Sequence, residues 1–203
     1  MTYFLGLTGS IATGKSTVGK IFLEHDIPVI SGDEVAKKTQ EKGQPAFHAI
    51  VQAFGQEVLF ADGTLNRKKL GSIVFSNPEK MEELDKLMNT FLREAFATIY
   101  KKYQESQVPL VVLDIPLLFE KDYTSLMDEI MVVYLPETIQ LSRLMERNHL
   151  SEKEAKQRIS SQWSVEKKKQ LADVIINNSG SVEETRKQVE DWLTSFNIKQ
   201  HLG

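Results

Sequence analysis

Five short β-rich segments punctuate the chain, at Tyr3–Thr8, Pro28–Ser31, Leu110–Asp114, Glu129–Tyr134 and Asp173–Asn177. Four of them are nearly continuous in Val, Ile and Leu, the pattern of strands covered on both faces. Between them the apolar positions fall at helical spacing. Met81, Leu84, Met88, Phe91, Ala95 and Ile99 recur three and four residues apart, which predicts one long amphipathic helix. Strands alternating with helices predict a parallel sheet with right-handed crossovers. The spacing is uneven: the second strand ends near residue 31 and the third begins only near 110. The mostly helical stretch between carries breakers at Gly43-Gln44-Pro45 and Ser76-Asn77-Pro78. A second helical excursion runs from Pro136 to about Leu171, rich in Arg, Lys, Glu and Gln.

The first strand runs directly into Gly9-Ser10-Ile11-Ala12-Thr13-Gly14-Lys15-Ser16, a complete Walker A pattern followed by a helical one. Backbone N–H groups at a helix start point at an anion, and the helix dipole adds roughly half a positive charge there. Gly9 and Gly14 let the chain curl close to phosphates, with Ala12 and Thr13 completing the cradle. Lys15 is placed for the β- and γ-phosphates, the Ser16 hydroxyl for Mg²⁺, and Thr17 for the α-phosphate. The expected architecture is therefore α/β, a three-layer P-loop NTPase-type fold with a five-stranded parallel sheet. Walker A indicates a bound nucleoside triphosphate. It leaves the reaction open, because switch proteins, ATPases and small-molecule kinases share it.

Two acids stand at strand ends. Asp33, in Ile30-Ser31-Gly32-Asp33-Glu34, has two readings. Ser31 and Glu34 have capping-box spacing, which makes Asp33 an ordinary acid in a first helical turn. Ligands of open parallel sheets lie beyond the strands' carboxyl ends, which makes it equally a general base for an attacking hydroxyl. Asp114 closes Val111-Val112-Leu113-Asp114, a Walker-B-like run suited to holding Mg²⁺ through water, or a strand-end cap. A GTPase would carry Asp-x-x-Gly here, yet position 117 is Leu, and an Asn-Lys-x-Asp base reader is absent. The helix pattern at Gln140–Arg147 puts Arg143 and Arg147 on one face. It is either a solvated face or a lid that brings arginine to a transferring phosphoryl group and keeps water out.

Composition narrows the field further. A chain of 203 residues suffices for one buried core with an insertion. A net charge of −3 argues for neither nucleic-acid nor membrane partners. The absence of cysteine removes disulfides, thiolate metal sites and cysteine nucleophiles. The four histidines, His25, His48, His149 and His201, show no metal-ligand spacing. Without a leader pattern ahead of the loop, a cytoplasmic protein is expected, a monomer or weak homo-oligomer.

Several stretches are more particular than Walker A: "VISGDEVAKK" with Asp33, "FGQEVL" and "DGTLNRKKL" with Arg67, "DIPLLFE", "QLSRLMER" and "LADVIINNSG". With "GLTGSIATGKST" they resemble the dephospho-coenzyme A kinase family over nearly the whole chain. The resemblance implies transfer of the ATP γ-phosphate to the ribose 3′-hydroxyl of dephospho-coenzyme A. It implies a nucleotide-binding core of residues 1–33, 106–135 and 172–203, a helical acceptor-binding region of 34–105 and a lid of 136–171. By similarity Asp33 is the base, Lys15 and Arg143 stabilise transferred charge, and Arg147 joins the nucleotide. Arg67, Asn89, Arg93 and Leu118 then serve the acceptor with Asp33, and Asn177, Asn178 and Gly180 form the adenine loop. This chain has Ser10 and Ala12 where the family commonly has Gly, and Asn89-Thr90 where it often has His-Pro. Asn can hydrogen-bond there but carries no charge.

Overall fold

The structure, a computed structural model, describes residues 2–202, with side chains described for residues 2–197. The chain forms two compact units, Met1–Ser31 with Val108–Gly203, and Gly32–Gln107. The first unit opens with β1 (Tyr3–Thr8), α1 (Lys15–Glu24) and β2 (Val29–Ser31). The second holds α2 (Gly32–Thr39), α3 (Pro45–Phe54), α4 (Arg67–Phe75) and α5 (Pro78–Glu105). The chain then returns through β3 (Leu110–Asp114), β4 (Glu129–Tyr134), α6 (Glu137–Asn148), α7 (Glu152–Ser160) and α8 (Val165–Gln170). β5 (Val174–Asn177) and α9 (Val182–Leu202) end it.

Among the described residues the five strands form one parallel sheet in the order β2-β3-β1-β4-β5. β1 is therefore central, and the loop that follows it opens midway along the sheet's carboxyl edge. Register sets Asp114 beside both Leu7 and Ser31, and Thr8 beside Val132. Side chains alternate between faces. Leu5, Leu7, Val112, Met131 and Val133 pack with Val18 and Phe22 of α1 and Val189 and Leu193 of α9. Leu5, Leu7 and Phe22 are fully buried, each contributing about 2 kcal/mol. On the other face the Gly6 backbone lies against side chains: a Cβ there would sit 2.7 Å from Leu118 and 2.8 Å from Met127.

Two strands start one residue later than the apolar runs suggest, for a physical reason in each case. Pro28 has no N–H to give the ladder, although its carbonyl accepts from the Val112 amide at 2.9 Å. Asp173 turns its carboxylate onto the Ile130 amide at 2.8 Å while its own N–H reaches the Ile130 carbonyl. It is an adaptor at the entry to β5. The long helix extends beyond its apolar stripe because Asn77 caps it, accepting from the amides of Glu79 and Lys80, with Pro78 at the first helical position. Within the second unit α5 packs with α3 and α4 around Phe47, Ile50, Phe54, Leu70, Val74 and Met88.

α6–α8 belong to the same unit as the sheet. Their apolar centre, Leu144, Ala155 and Ile159, packs against Ile11 and Ala12 of the glycine loop. No helix among the described residues is long and apolar enough to cross a membrane.

Candidate active site

The loop between β1 and α1 is shaped by contacts that leave no room for larger residues. A Cβ on Gly9 would lie 2.6 Å from Thr13 Oγ1 and 2.9 Å from the Val133 carbonyl. Gly14 caps α1 at a φ of 91°, a left-handed conformation, and the Asn178 amide occupies the place of its absent Cβ. Ala12 also has positive φ, 62°, which costs a non-glycine residue about 1–2 kcal/mol. No side chain caps α1, and its first turn holds no acid. The helix start at Lys15 and Ser16, with Thr17 behind it, is thus left to an external anion.

Lys15 Nζ donates to the Asp114 carboxylate, and both side chains are only 18% exposed. The strand-end acid is therefore a partner of the loop lysine rather than a simple cap. Ser16 and Asp114 are the residues here that could hold Mg²⁺. Among the described residues no three or more His, Cys, Asp or Glu side chains cluster into a metal cage. A hydroxyl and one carboxylate fit Mg²⁺, which keeps waters and takes its remaining ligands from phosphate oxygens.

The loop is held from outside by residues far away in sequence. Buried Asn178 donates from Nδ2 to the Thr13 carbonyl at 2.7 Å, and its Oδ1 accepts from the Thr185 hydroxyl at 2.8 Å. Its side chain is thereby committed to the phosphate loop. Asn177 Oδ1 accepts from both the amide and the hydroxyl of Ser179, shaping the turn that leads to exposed Gly180. Gln188 grips the backbone N–H and C=O of Asn177 at 2.8 and 2.9 Å. On the other side Ser10 Oγ donates to the Trp163 carbonyl at 2.9 Å. The Ile11 amide donates to Gln162 Oε1 at 2.9 Å, and Gln140 Nε2 donates to the Ile11 carbonyl at 2.7 Å. Ser10 is thus a tie to the segment after α7.

Beneath this lies a buried ion pair. Lys168, fully buried, donates to the Pro116 carbonyl at 2.7 Å and to Glu120 at 2.9 Å, while Glu120 also accepts from the Trp163 amide at 3.0 Å. Burial pushes the Lys168 ammonium below the ordinary lysine value, and the Glu120 hydrogen bond opposes that shift. Trp163 stacks on Phe119, centroids 6.4 Å apart, with Lys167 Nζ 3.2 Å from the indole centroid. The sequence reading missed Ser10–Trp163, Gln140, Gln162 and Lys168–Glu120. Only the acid ending "PLLFE" hinted at any of them. On α6, Arg143 is half-buried and Arg147 exposed, its Nε donating to Asn148.

In the second unit Asp33 stands exposed in the first turn of α2. Arg67, the first residue of α4, donates from Nε to Gln40 and from Nη2 to the Lys37 carbonyl at the end of α2, both at 3.2 Å. Asn89 on α5 has a buried Oδ1 without a partner among the described residues. Arg93 follows one turn later on the same face. The Leu118 side chain is completely buried against Gly6, so a contact with an acceptor there would fall to its backbone.

A cavity of about 520 Å³ lined by His25, Pro28, Leu110, Glu190, Leu193 and Phe196 lies at the amino ends of β2 and β3, the edge opposite the phosphate loop. It takes no part in this site. Comparison with known proteins bears on what the loop serves. A sequence profile for dephospho-CoA kinase matches residues 3–184. The chain is 48% identical to a dephospho-CoA kinase of Enterococcus faecalis over 195 residues, 95% of this chain and 96% of the other. It is also 48% identical to one of Bacillus cereus over 98% of this chain and 99% of that protein. Among solved structures, the dephospho-CoA kinase of Campylobacter jejuni superposes with a TM-score of 0.74 at 30% identity, covering 98% of this chain and all of that one. A shikimate kinase from Aquifex aeolicus, at 18% identity and TM-score 0.52 over 98% of this chain and 99% of its own, shares the fold alone. With a profile match across most of the chain and relatives nearly half identical end to end, this chain belongs to the dephospho-CoA kinase family.

Proposed function

We propose that the chain transfers the γ-phosphate of ATP to the ribose 3′-hydroxyl of dephospho-coenzyme A in the cytoplasm, releasing ADP and coenzyme A in the last step of coenzyme A synthesis. The observation that carries this is the shaped phosphate loop with Lys15 held on Asp114, in a chain of that family. The loop amides and Lys15 bind the triphosphate, with Lys15 passing from Asp114 to the β- and γ-phosphates. Ser16 and, through water, Asp114 are the residues to hold Mg²⁺, whose chemistry there is to neutralise charge on the phosphate oxygens. Asn177, Gly180 and Arg147 receive the nucleotide, and Asn178 acts by fixing Thr13.

The acceptor oxygen attacks the γ-phosphorus. The bond to the bridging oxygen breaks, and ADP leaves with the electron pair. Asp33 takes the hydroxyl proton. Two residues of backbone, about 7 Å at full extension, separate Asp33 from Ser31, which is in register with Asp114. Arg143 meets charge on the transferring group. Arg67, Asn89 and Arg93 hold the acceptor, Asn89 offering hydrogen bonds without the charge a histidine could carry.

The test is a coupled ADP-release assay with dephospho-coenzyme A, adenosine, AMP and gluconate, on the parent and on Asp33→Asn. Turnover only with dephospho-coenzyme A is expected. Asp33→Asn should bind ATP as the parent does while transfer falls by about 10²–10⁴-fold. Full turnover by that variant removes Asp33 as the base, and preference for another acceptor removes the substrate assignment.

A further inference from the structure

α6 carries Gln140, Arg143 and Arg147 at steps of three and four, so the three project from one side of the helix. Gln140 is 1% exposed, an unusual burial for this residue type. Its Nε2 donates to the Ile11 carbonyl at 2.7 Å, in the phosphate loop itself. Ile11 is held from the other direction by Gln162, which accepts its amide proton. The Ile11 side chain packs against the cluster of Leu144, on the same helix, with Ala155 and Ile159. The hydrophobic driving force behind that packing is non-directional. A hydrogen bond to a backbone carbonyl adds a constraint on direction and distance.

The choice of glutamine is informative. A lysine here would compete for phosphate, and a glutamate would repel it and could not donate. Glutamine donates without charge. It does so with a buried Oε1 that has no partner among the described residues, an arrangement costing about 1–3 kcal/mol that an apolar residue would avoid. A position kept polar at that cost points to what its donor does.

We propose that Gln140 is a positioning residue: through the Ile11 carbonyl it sets the register of Arg143, one turn further along α6, on the triphosphate held by the same loop. The inference rests on the reading of Arg143 as the group that meets the transferring charge. Gln162, by holding the Ile11 amide, keeps the carbonyl aimed at Gln140.

A double-mutant cycle tests it, with kcat, KM for ATP and thermal unfolding measured on Gln140→Met, Arg143→Ala and the double variant. Arg143→Ala should lower kcat on the order of a hundredfold. Gln140→Met should lower it on the order of tenfold with KM for ATP within about twofold. The double variant should be no slower than Arg143→Ala, because misplacing a missing arginine costs nothing. Losses that multiply overturn the proposal, as does a Gln140→Met enzyme with parental kcat. Full turnover by Arg143→Ala overturns the arginine's own assignment and this inference with it, a result distinct from multiplying losses. Should Gln140→Met fail to fold, Gln162→Ala, at a half-buried position, replaces it in the cycle. The same non-multiplying loss is expected, and multiplying losses again overturn the proposal.

Discussion

Replacing Lys168 by methionine keeps most of the side-chain volume and removes one buried charge. The ammonium is fully buried and donates to the Pro116 carbonyl and to Glu120. Pro116 keeps a second donor in the Thr8 hydroxyl at 3.1 Å, so that carbonyl is not orphaned. Glu120 is the problem. Its side chain is 12% exposed, its Oε2 has no partner among the described residues, and the Trp163 amide becomes its one remaining donor. A carboxylate stripped of its cation in such a place costs about 3 kcal/mol. In a chain of this length that lowers the melting temperature by about 6–12 °C. Lys168→Met/Glu120→Gln removes the stranded charge while Gln still accepts from Trp163, and should return to within about 1 kcal/mol of the parent. Both tryptophans, Trp163 and Trp192, lie in the first unit, so their fluorescence follows that unit's unfolding. Buried Lys168 releases its proton at lower pH than an unfolded lysine does. Between those two values the unfolded chain binds more protons, and parental stability rises with pH there. Lys168→Met lacks that rise. A single variant within about 0.5 kcal/mol of the parent, or a double variant no better than the single, would refute the buried-pair reasoning.

Two further substitutions probe the loop. Gly14→Ala places a Cβ at positive φ against the Asn178 amide; a stability loss above about 1 kcal/mol and lost ATP binding by calorimetry are expected. Asn178→Ala removes the donor to Thr13 and the acceptor for Thr185. It should cost about 2 kcal/mol and raise KM for ATP more than KM for the acceptor, measured in the same ADP-release assay.

The middle of the sheet was readable because its strands are buried on both faces, so local composition alone marks Leu110–Asp114 and Glu129–Tyr134. The phosphate loop was readable because its chemistry demands a fixed spacing of Gly, Lys and Ser. What holds that loop was not. Gln140 and Gln162 have the same local signature as any polar residue on a helix or at its end. Lys168 sits in a lysine triplet whose other members are exposed or half-buried. Its burial is decided by the Glu120 carboxylate, 48 positions away and unmarked by any period. Leu118 shows the converse: the motif around it is particular, yet the packing of its side chain against Gly6 is marked by no motif.

These distant ties share one physical consequence. The outward-facing polar groups of the loop are satisfied by the protein itself: Ser10 O by the amide and hydroxyl of Thr13, both backbone groups of Ile11 by glutamines, Thr13 O by Asn178. A loop ordered this way gives up little conformational freedom when a triphosphate arrives, so more of the contact energy appears as affinity. The amides at the start of α1 are then fixed dipoles, the condition under which they stabilise developing charge without reorganising. Within the phosphate cradle Lys15 is the side chain that must change partners, from Asp114 to the phosphates. On the proposed function, that exchange keeps the lysine paired throughout and lets the Asp114 carboxylate turn to a cation that arrives with the nucleotide. An ion pair that looks like a competitor for ATP is, on this reading, what keeps both side chains in place until it binds.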